Sequence, residues 1–344
     1  MPSPVISAAI DSLLAGEDLG RQGAAEALEV IMSGDAGEAQ TAGFLIALRA
    51  KGESADELAG LASVIRAKAQ AVSPEVGDAV DTCGTGGGRS TFNISTTTAF
   101  VVAGAGVPVT KHGNRSATSK SGSADVLEAV GARIDLAPDA VAQCLEQSGF
   151  CFMFAPLHHP AFKHIVPVRK ALAVRTIFNL LGPLTNPAGA KRQLIGVSDP
   201  DYLDRIAQAL AALGCERGMV VHGRDGMDEL STGAVNDAAV IENGAVTREQ
   251  IDPAALGFSA PSEGELAGGE PEENAAVMRA VLGGSEGAAR DIVVLNAAAA
   301  LRVAGVADDM RAGVAAGEQS IDSGSAAERL DAYVSATQRL AAAS

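Results

Sequence analysis

Chemistry in this chain gathers at a few short stretches, and "DTCGTGGGRSTFNIST" (Asp81–Thr96) is the densest of them. Four glycines fall within Gly84–Gly88, and glycine lets a main chain approach a ligand that a Cβ would exclude. Behind a strand and ahead of a helix, such a loop can aim backbone N–H groups, and the positive end of the helix, at an anion. Thr91, Asn93, Ser95 and Thr96 add hydroxyl and amide partners. The spacing is neither that of a dinucleotide loop nor that of a P-loop, and an ordinary glycine turn would read the same way.

A second stretch, "KHGNRSATSKSGSAD", brings Lys111, His112, Arg115 and Lys120 together with no acid before Asp125. Two anion-friendly loops at neighbouring strand ends suggest a ligand phosphorylated at both ends, with this cluster supplying local positive field. "DGMDELS" offers the adjacent carboxylates Asp228 and Glu229, oxygen ligands suited to Mg²⁺, although a loop pair of acids is commonly only solvated. In "HHPAFKHIVPVRKALAVRTIFNLLGPLTNP", Arg169 and Arg175 stand among apolar residues, where a guanidinium can grip a small carboxylate; surface arginines are the plainer reading of either one. His158, His159 and His164 lack zinc-helix spacing, so no transition metal is expected. Cys83 has no base placed by sequence to activate it.

These stretches sit in a chain of 344 residues with 26 basic and 42 acidic side chains, a formal charge of −16. That field repels polyphosphates and argues against nucleic acid as a partner. Four cysteines without metal spacing read as free thiols of a reducing cytoplasm. The first helix is amphipathic and unlike a secretion leader, and "TAFVVAGAGVPV" is too short to cross a bilayer. A soluble cytoplasmic protein is expected.

The elements that must position these groups follow from periodicity. Leu28 with Ile31, then Phe44, Leu45 and Leu48, then Leu58, Leu61 and Ile65 predict successive helices up to about residue 72, with Ser54 and Glu57 as a capping box. Strand candidates then alternate with helices: "AVDTC", "VPVT", "FCFMFA", "QLIGVS" and "GMVVHG". Asn243-Gly244 predicts a hairpin, and "GAARDIVVLNAAAALRVAG" predicts a closely packed helix. The fold class is α/β: a small helical domain and a larger domain with a mostly parallel, helix-flanked sheet.

Taken together, "GTGG", "TFNIST", "KHGNRSATSKSGSAD", "HHPAFKHIVPVR", "RTIFNLLGPLTNP", "DGMDEL" and "RDIVVLNAAAAL" resemble, in order and over nearly the whole chain, the anthranilate phosphoribosyltransferase family of tryptophan biosynthesis. The resemblance implies a homodimer formed through the helical domain and a Mg²⁺-dependent transfer from 5-phosphoribosyl 1-pyrophosphate to anthranilate. It implies a helical domain of residues 1–74 rejoined by 167–190, and a large domain of 75–166 and 191–344. Donor contacts are implied for Gly84, Gly87, Gly88, Thr91, Asn93, Ile94, Ser95 and Thr96. They continue through Lys111, His112, Gly113, Asn114, Arg115, Ser116, Ala117, Thr118, Ser119 and Ser123, with Lys111 assisting the leaving group. Anthranilate falls to Gly84, Asn114 and Arg169, and Mg²⁺ to Ser95, Asp228 and Glu229. One departure stands out: the family loop reads GTGGD, whereas here Gly87 is followed by Gly88 and Arg89, and Arg89 is expected to meet the pyrophosphate instead. A pyrimidine-nucleoside phosphorylase and a non-catalytic nucleic-acid binder are the alternative readings.

Overall fold

Helix-spaced apolar residues build the N-terminal unit of the computed structural model, which describes residues 2–116 and 119–343. Its helices are α1 (Pro4–Leu14), α2 (Gly20–Ser33), α3 (Glu38–Lys51) and α4 (Ala55–Lys68). Gly34 ends α2 in the left-handed conformation. Ser54 caps α4 by accepting from the Glu57 N–H at 3.3 Å, while Glu57 accepts from the Ser54 N–H at 2.8 Å, an arrangement worth about 1 kcal/mol. Glu57 is fully buried because it also accepts from the Leu19 N–H and pairs with Lys51.

A seven-stranded sheet follows: β1 (Val80–Gly84), β2 (Val109–Gly113), β3 (Phe150–Phe154), β4 (Arg192–Gly196), β5 (Arg217–Gly223), β6 (Asn236–Glu242) and β7 (Ala245–Ile251). Their spatial order is β3-β2-β1-β4-β5-β6-β7. The first five of that order run parallel, and β6 and β7 are antiparallel. This is the mostly parallel, helix-flanked sheet that the alternation predicts. Asn243 (φ 50°) and Gly244 (φ 81°) make the predicted hairpin turn between β6 and β7. One expectation is displaced. The strand predicted at "VPVT" begins at Val109, since Pro108 has no N–H to give a central ladder, and it runs on through Lys111, His112 and Gly113.

The chain builds outward from β1 through β2 to β3, then returns to the other side of β1 as β4. The carboxyl ends of β1 and β4 therefore form a topological switch point, where open α/β sheets bind ligands. The glycine loop leaves β1 at that point and enters helix α5 (Ile94–Gly104).

Two apolar cores flank the sheet. One packs α5 with the helices Ala288–Ala304 and Ser325–Ala343. Close approach there uses small residues, as the sequence predicts: a Cβ on Gly313 would lie 2.6 Å from the Ala298 carbonyl. The other core joins α1–α4 to the opposite sheet face through the helix Leu203–Ala212, and it takes in Ile165, Val168, Ile177, Phe178 and Leu181. No helix among the described residues is long and apolar enough to cross a membrane.

Candidate active site

A cleft of about 1030 Å³ opens at the switch point. Gly84, Gly87, Gly88, Thr91, Asn93, Ile94, Ser95 and Thr96 line it from the first loop and α5. Lys111, His112, Gly113, Asn114, Arg115, Ser116, Ser119 and Ser123 line it from β2 and the second loop. Asp228, Glu229 and Arg169 complete the wall. Ala117 and Thr118 lie outside the described residues.

The glycine loop is held open by a carboxylate. Asp228 Oδ2 accepts from the Gly86 N–H at 2.8 Å. A Cβ on Gly84 would lie 2.7 Å from Asp228 Oδ2, and one on Gly88 2.6 Å from Asp228 Oδ1. Glycine at 88 is thus dictated by Asp228, which fills the space that a side chain there would need. Thr96 contributes a buried hydroxyl without a partner among the described residues.

Asp228 and Glu229 fit a divalent cation by their chemistry. Burial raises the Asp228 carboxyl above its ordinary range. Burial, and then Asp228 beside it, push Glu229 up to about 8. Neither acid forms an ion pair among the described residues, so their mutual repulsion is what a bound cation would relieve. The Ser95 hydroxyl is already engaged, accepting from Lys111 Nζ at 3.1 Å.

Several of the expected site residues are also engaged within the protein. Lys111 is buried and directs its ammonium to the Thr82 carbonyl and Ser95 Oγ. Desolvation lowers its pKa, against Cys83, Asp81 and Glu229, which raise it. Arg115 is tied to Asp125 at 2.8 Å and to Glu128 at 2.6 Å, and Lys120 pairs with Glu270 at 3.2 Å. His112 is driven down to about 3 by burial and by His159. The positive field predicted for this stretch is therefore largely neutralised within the protein. Asn93 braces the two loops together, donating to the Ser121 carbonyl and accepting from Ser121 Oγ and from Asn274. Asn114 Oδ1 accepts from the Arg115 N–H at 2.7 Å. Arg89 reaches Asp225 at 3.4 Å on the exposed side of the loop.

Also on the cleft wall, Arg169 packs over the Phe178 ring at 5.5 Å and makes no ion pair among the described residues. Desolvation lowers its pKa, a cost that an incoming carboxylate offsets. Beside it, His112 and His159 meet Nε2 to Nε2 at 3.2 Å. Burial brings His159 down to about 4, so the pair is neutral at pH 7 and one ring donates to the other. Sequence reading missed this pair and Phe178; the signal was "HHP" and "FNLLGP", each within a segment singled out for its arginines. Burial raises the Cys83 thiol pKa well above the ordinary value.

The switch-point cleft and the N-terminal helical unit define a class. Residues 7–69 match the model of the "Glycosyl transferase family, helical bundle domain", and residues 76–327 that of the "Glycosyl transferase family, a/b domain". Among relatives, an anthranilate phosphoribosyltransferase of Moorella thermoacetica is 50% identical over 98% of this chain and 100% of its own. The crystal structure of the Thermus thermophilus anthranilate phosphoribosyltransferase superposes with a TM-score of 0.89 at 41% identity, covering 96% of this chain and 99% of that one. The Saccharomyces cerevisiae enzyme, solved in complex with PRPP and Mg, gives a TM-score of 0.89 at 26% identity over 97% and 98%. This chain belongs to the anthranilate phosphoribosyltransferase family.

Proposed function

We propose that this protein transfers the phosphoribosyl group of 5-phosphoribosyl 1-pyrophosphate to the amino group of anthranilate, releasing pyrophosphate, in tryptophan biosynthesis. One observation carries the reading beyond family membership. A single cleft is lined both by a glycine loop with two recessed acids and by a half-buried arginine that makes no ion pair among the described residues. Donor and acceptor of that reaction differ in the same way, a diphosphorylated sugar against a small aromatic carboxylate.

The aryl amine is neutral at pH 7, so no strong base is required to free its lone pair. The demanding event is departure of pyrophosphate from C1 of the ribose, which builds positive charge on the sugar and negative charge on the leaving group. Backbone N–H groups of the glycine loop, the N-terminus of α5 and the buried Lys111 charge stabilise the latter. Mg²⁺, when held by Asp228 and Glu229, supplies further neutralisation of the phosphates. Arg169 orients the acceptor carboxylate, and the neutral His112–His159 pair walls the ring without presenting a charge. Closure of the helical unit, with residues 167–190 moving as part of it, excludes water and aligns the amine.

The helical unit is also the proposed dimer surface, because Val5, Leu14 and Ile46 expose apolar area on α1 and α3. Light scattering that gave a monomer mass would remove that assembly. A cytoplasmic location completes the reading. Anthranilate fluorescence tests the activity: it should fall only when donor and Mg²⁺ are both added. Consumption of a pyrimidine nucleoside with phosphate instead would make the protein a phosphorylase.

A further inference from the structure

The glycine loop has a rear as well as a front, and the rear is held from the helical side of the molecule. Arg175 lies between the helices Val166–Leu172 and Phe178–Leu181. Its own carbonyl accepts from Arg49 of α3. Its guanidinium Nη2 donates to the Thr85 carbonyl at 3.3 Å and to the Gly86 carbonyl at 3.1 Å. Ser198 Oγ donates to the same Gly86 carbonyl at 3.1 Å.

A trans peptide holds each carbonyl opposite the N–H of the next residue. Drawing the Thr85 and Gly86 carbonyls back toward Arg175 therefore turns the Gly86 and Gly87 N–H groups forward, into the cleft. The first of these is seen there, donating to Asp228. Gly87 completes the fit: at φ 87° it lies in the left-handed region, and any Cβ on it would overlap the Arg175 guanidinium. Arg175 also forms part of the partition between this cleft and a second cavity of about 370 Å³, which Arg49, Glu53 and Tyr202 line.

We infer that Arg175 is a positioning residue of the donor site, which keeps the Gly86 N–H on Asp228, aims the Gly87 N–H at the pyrophosphate and ties the loop to the helical unit through Arg49. This assigns Arg175 to the donor end and leaves acceptor recognition to Arg169. The inference rests on reading the loop as a pyrophosphate cradle, so its test has one arm that needs no ligand.

In the ligand-free protein, Arg175→Ala should speed deuterium uptake severalfold in peptides covering residues 84–91 and leave α1–α4 unchanged. Steady-state kinetics should show the donor KM raised about tenfold or more and the anthranilate KM within twofold. Arg175→Lys should recover part of the loss, since an ammonium keeps donors for the two carbonyls but sits on a shorter side chain without the planar guanidinium. Unchanged loop exchange overturns the inference, as does a rise confined to the anthranilate KM. Uniformly faster exchange across the helical unit would make Arg175 a structural residue and likewise overturn it. If the wild type failed to bind donor at all, the proposed function would fall while the exchange arm still decided how the loop is positioned.

Discussion

The Asp228 carboxylate accepts from the Gly86 N–H at 2.8 Å, so an acid 142 positions downstream holds the glycine loop in shape. Asp228→Asn keeps an oxygen for that N–H but removes the charge. Activity should fall roughly 100-fold, the scale of losing one electrostatic contact at a reacting centre, with little change in melting temperature. Gly88→Ala should also impair donor use, because its Cβ would sit 2.6 Å from Asp228 Oδ1. Donor KM values for both variants provide the check, and a wild-type value for Gly88→Ala would show that the loop and Asp228 are not packed in this way.

Arg169 separates acceptor from donor recognition. Truncation to Ala should remove a charge-assisted contact worth about 1.5–3 kcal/mol, raising the anthranilate KM by roughly 10- to 100-fold while the donor KM stays put. Kinetics with each substrate varied in turn reads this directly.

Asp81 is fully buried beneath the site, where burial raises its pKa. Asn186 Nδ2 donates to Asp81 Oδ2 at 2.8 Å and to the Thr110 carbonyl at 2.7 Å. Asn186→Leu strips a buried acid of one of its donors and should cost about 1–3 kcal/mol, the penalty for leaving a buried hydrogen-bonding group short of a partner. Urea unfolding of this variant, against Asp81→Asn with Asn186 intact, shows whether the loss comes from the orphaned carboxyl.

His112 and His159 make stability depend on pH. Their folded pKa values, about 3 and about 4, lie below the ordinary 6.5. The unfolded chain therefore binds more protons between these values. The contribution is fully present above pH 6.5 and is lost as pH falls toward 4 and then 3, by up to about 1.4 kcal/mol per histidine per pH unit. Unfolding free energies at pH 7.5, 6 and 5 should fall faster for the wild type than for His159→Phe. Parallel curves would mean that the pair is not buried neutral.

Local signals were the legible ones. The Asn243-Gly244 hairpin, the Ser54 capping box and the glycine loop each depend on a few adjacent residues, and the sequence states them. Long-range partners were not legible. Arg115 and Lys120 read as free charge because Asp125, Glu128 and Glu270 come later in the chain, and only the fold brings them back. Lys111 points beneath the loop because β2 extends past Pro108, a boundary that the apolar run "VPVT" conceals. The bonds of Asn93 to Ser121 and Asn274 join residues 28 and 181 positions apart and have no local signature either. The order of β1 and β4, which makes the switch point, has no local signature.

The central claim is that the glycine loop and the two recessed acids together cradle a diphosphorylated sugar. Calorimetric titration of 5-phosphoribosyl 1-pyrophosphate, with Mg²⁺ present, into the wild type and into a variant with Asp228 and Glu229 both changed to Ala tests it directly. The expected result is one saturable binding event per chain in the wild type and its loss, or a weakening of at least tenfold, in the variant. Equal binding by both proteins, or no binding by the wild type, would contradict the claim.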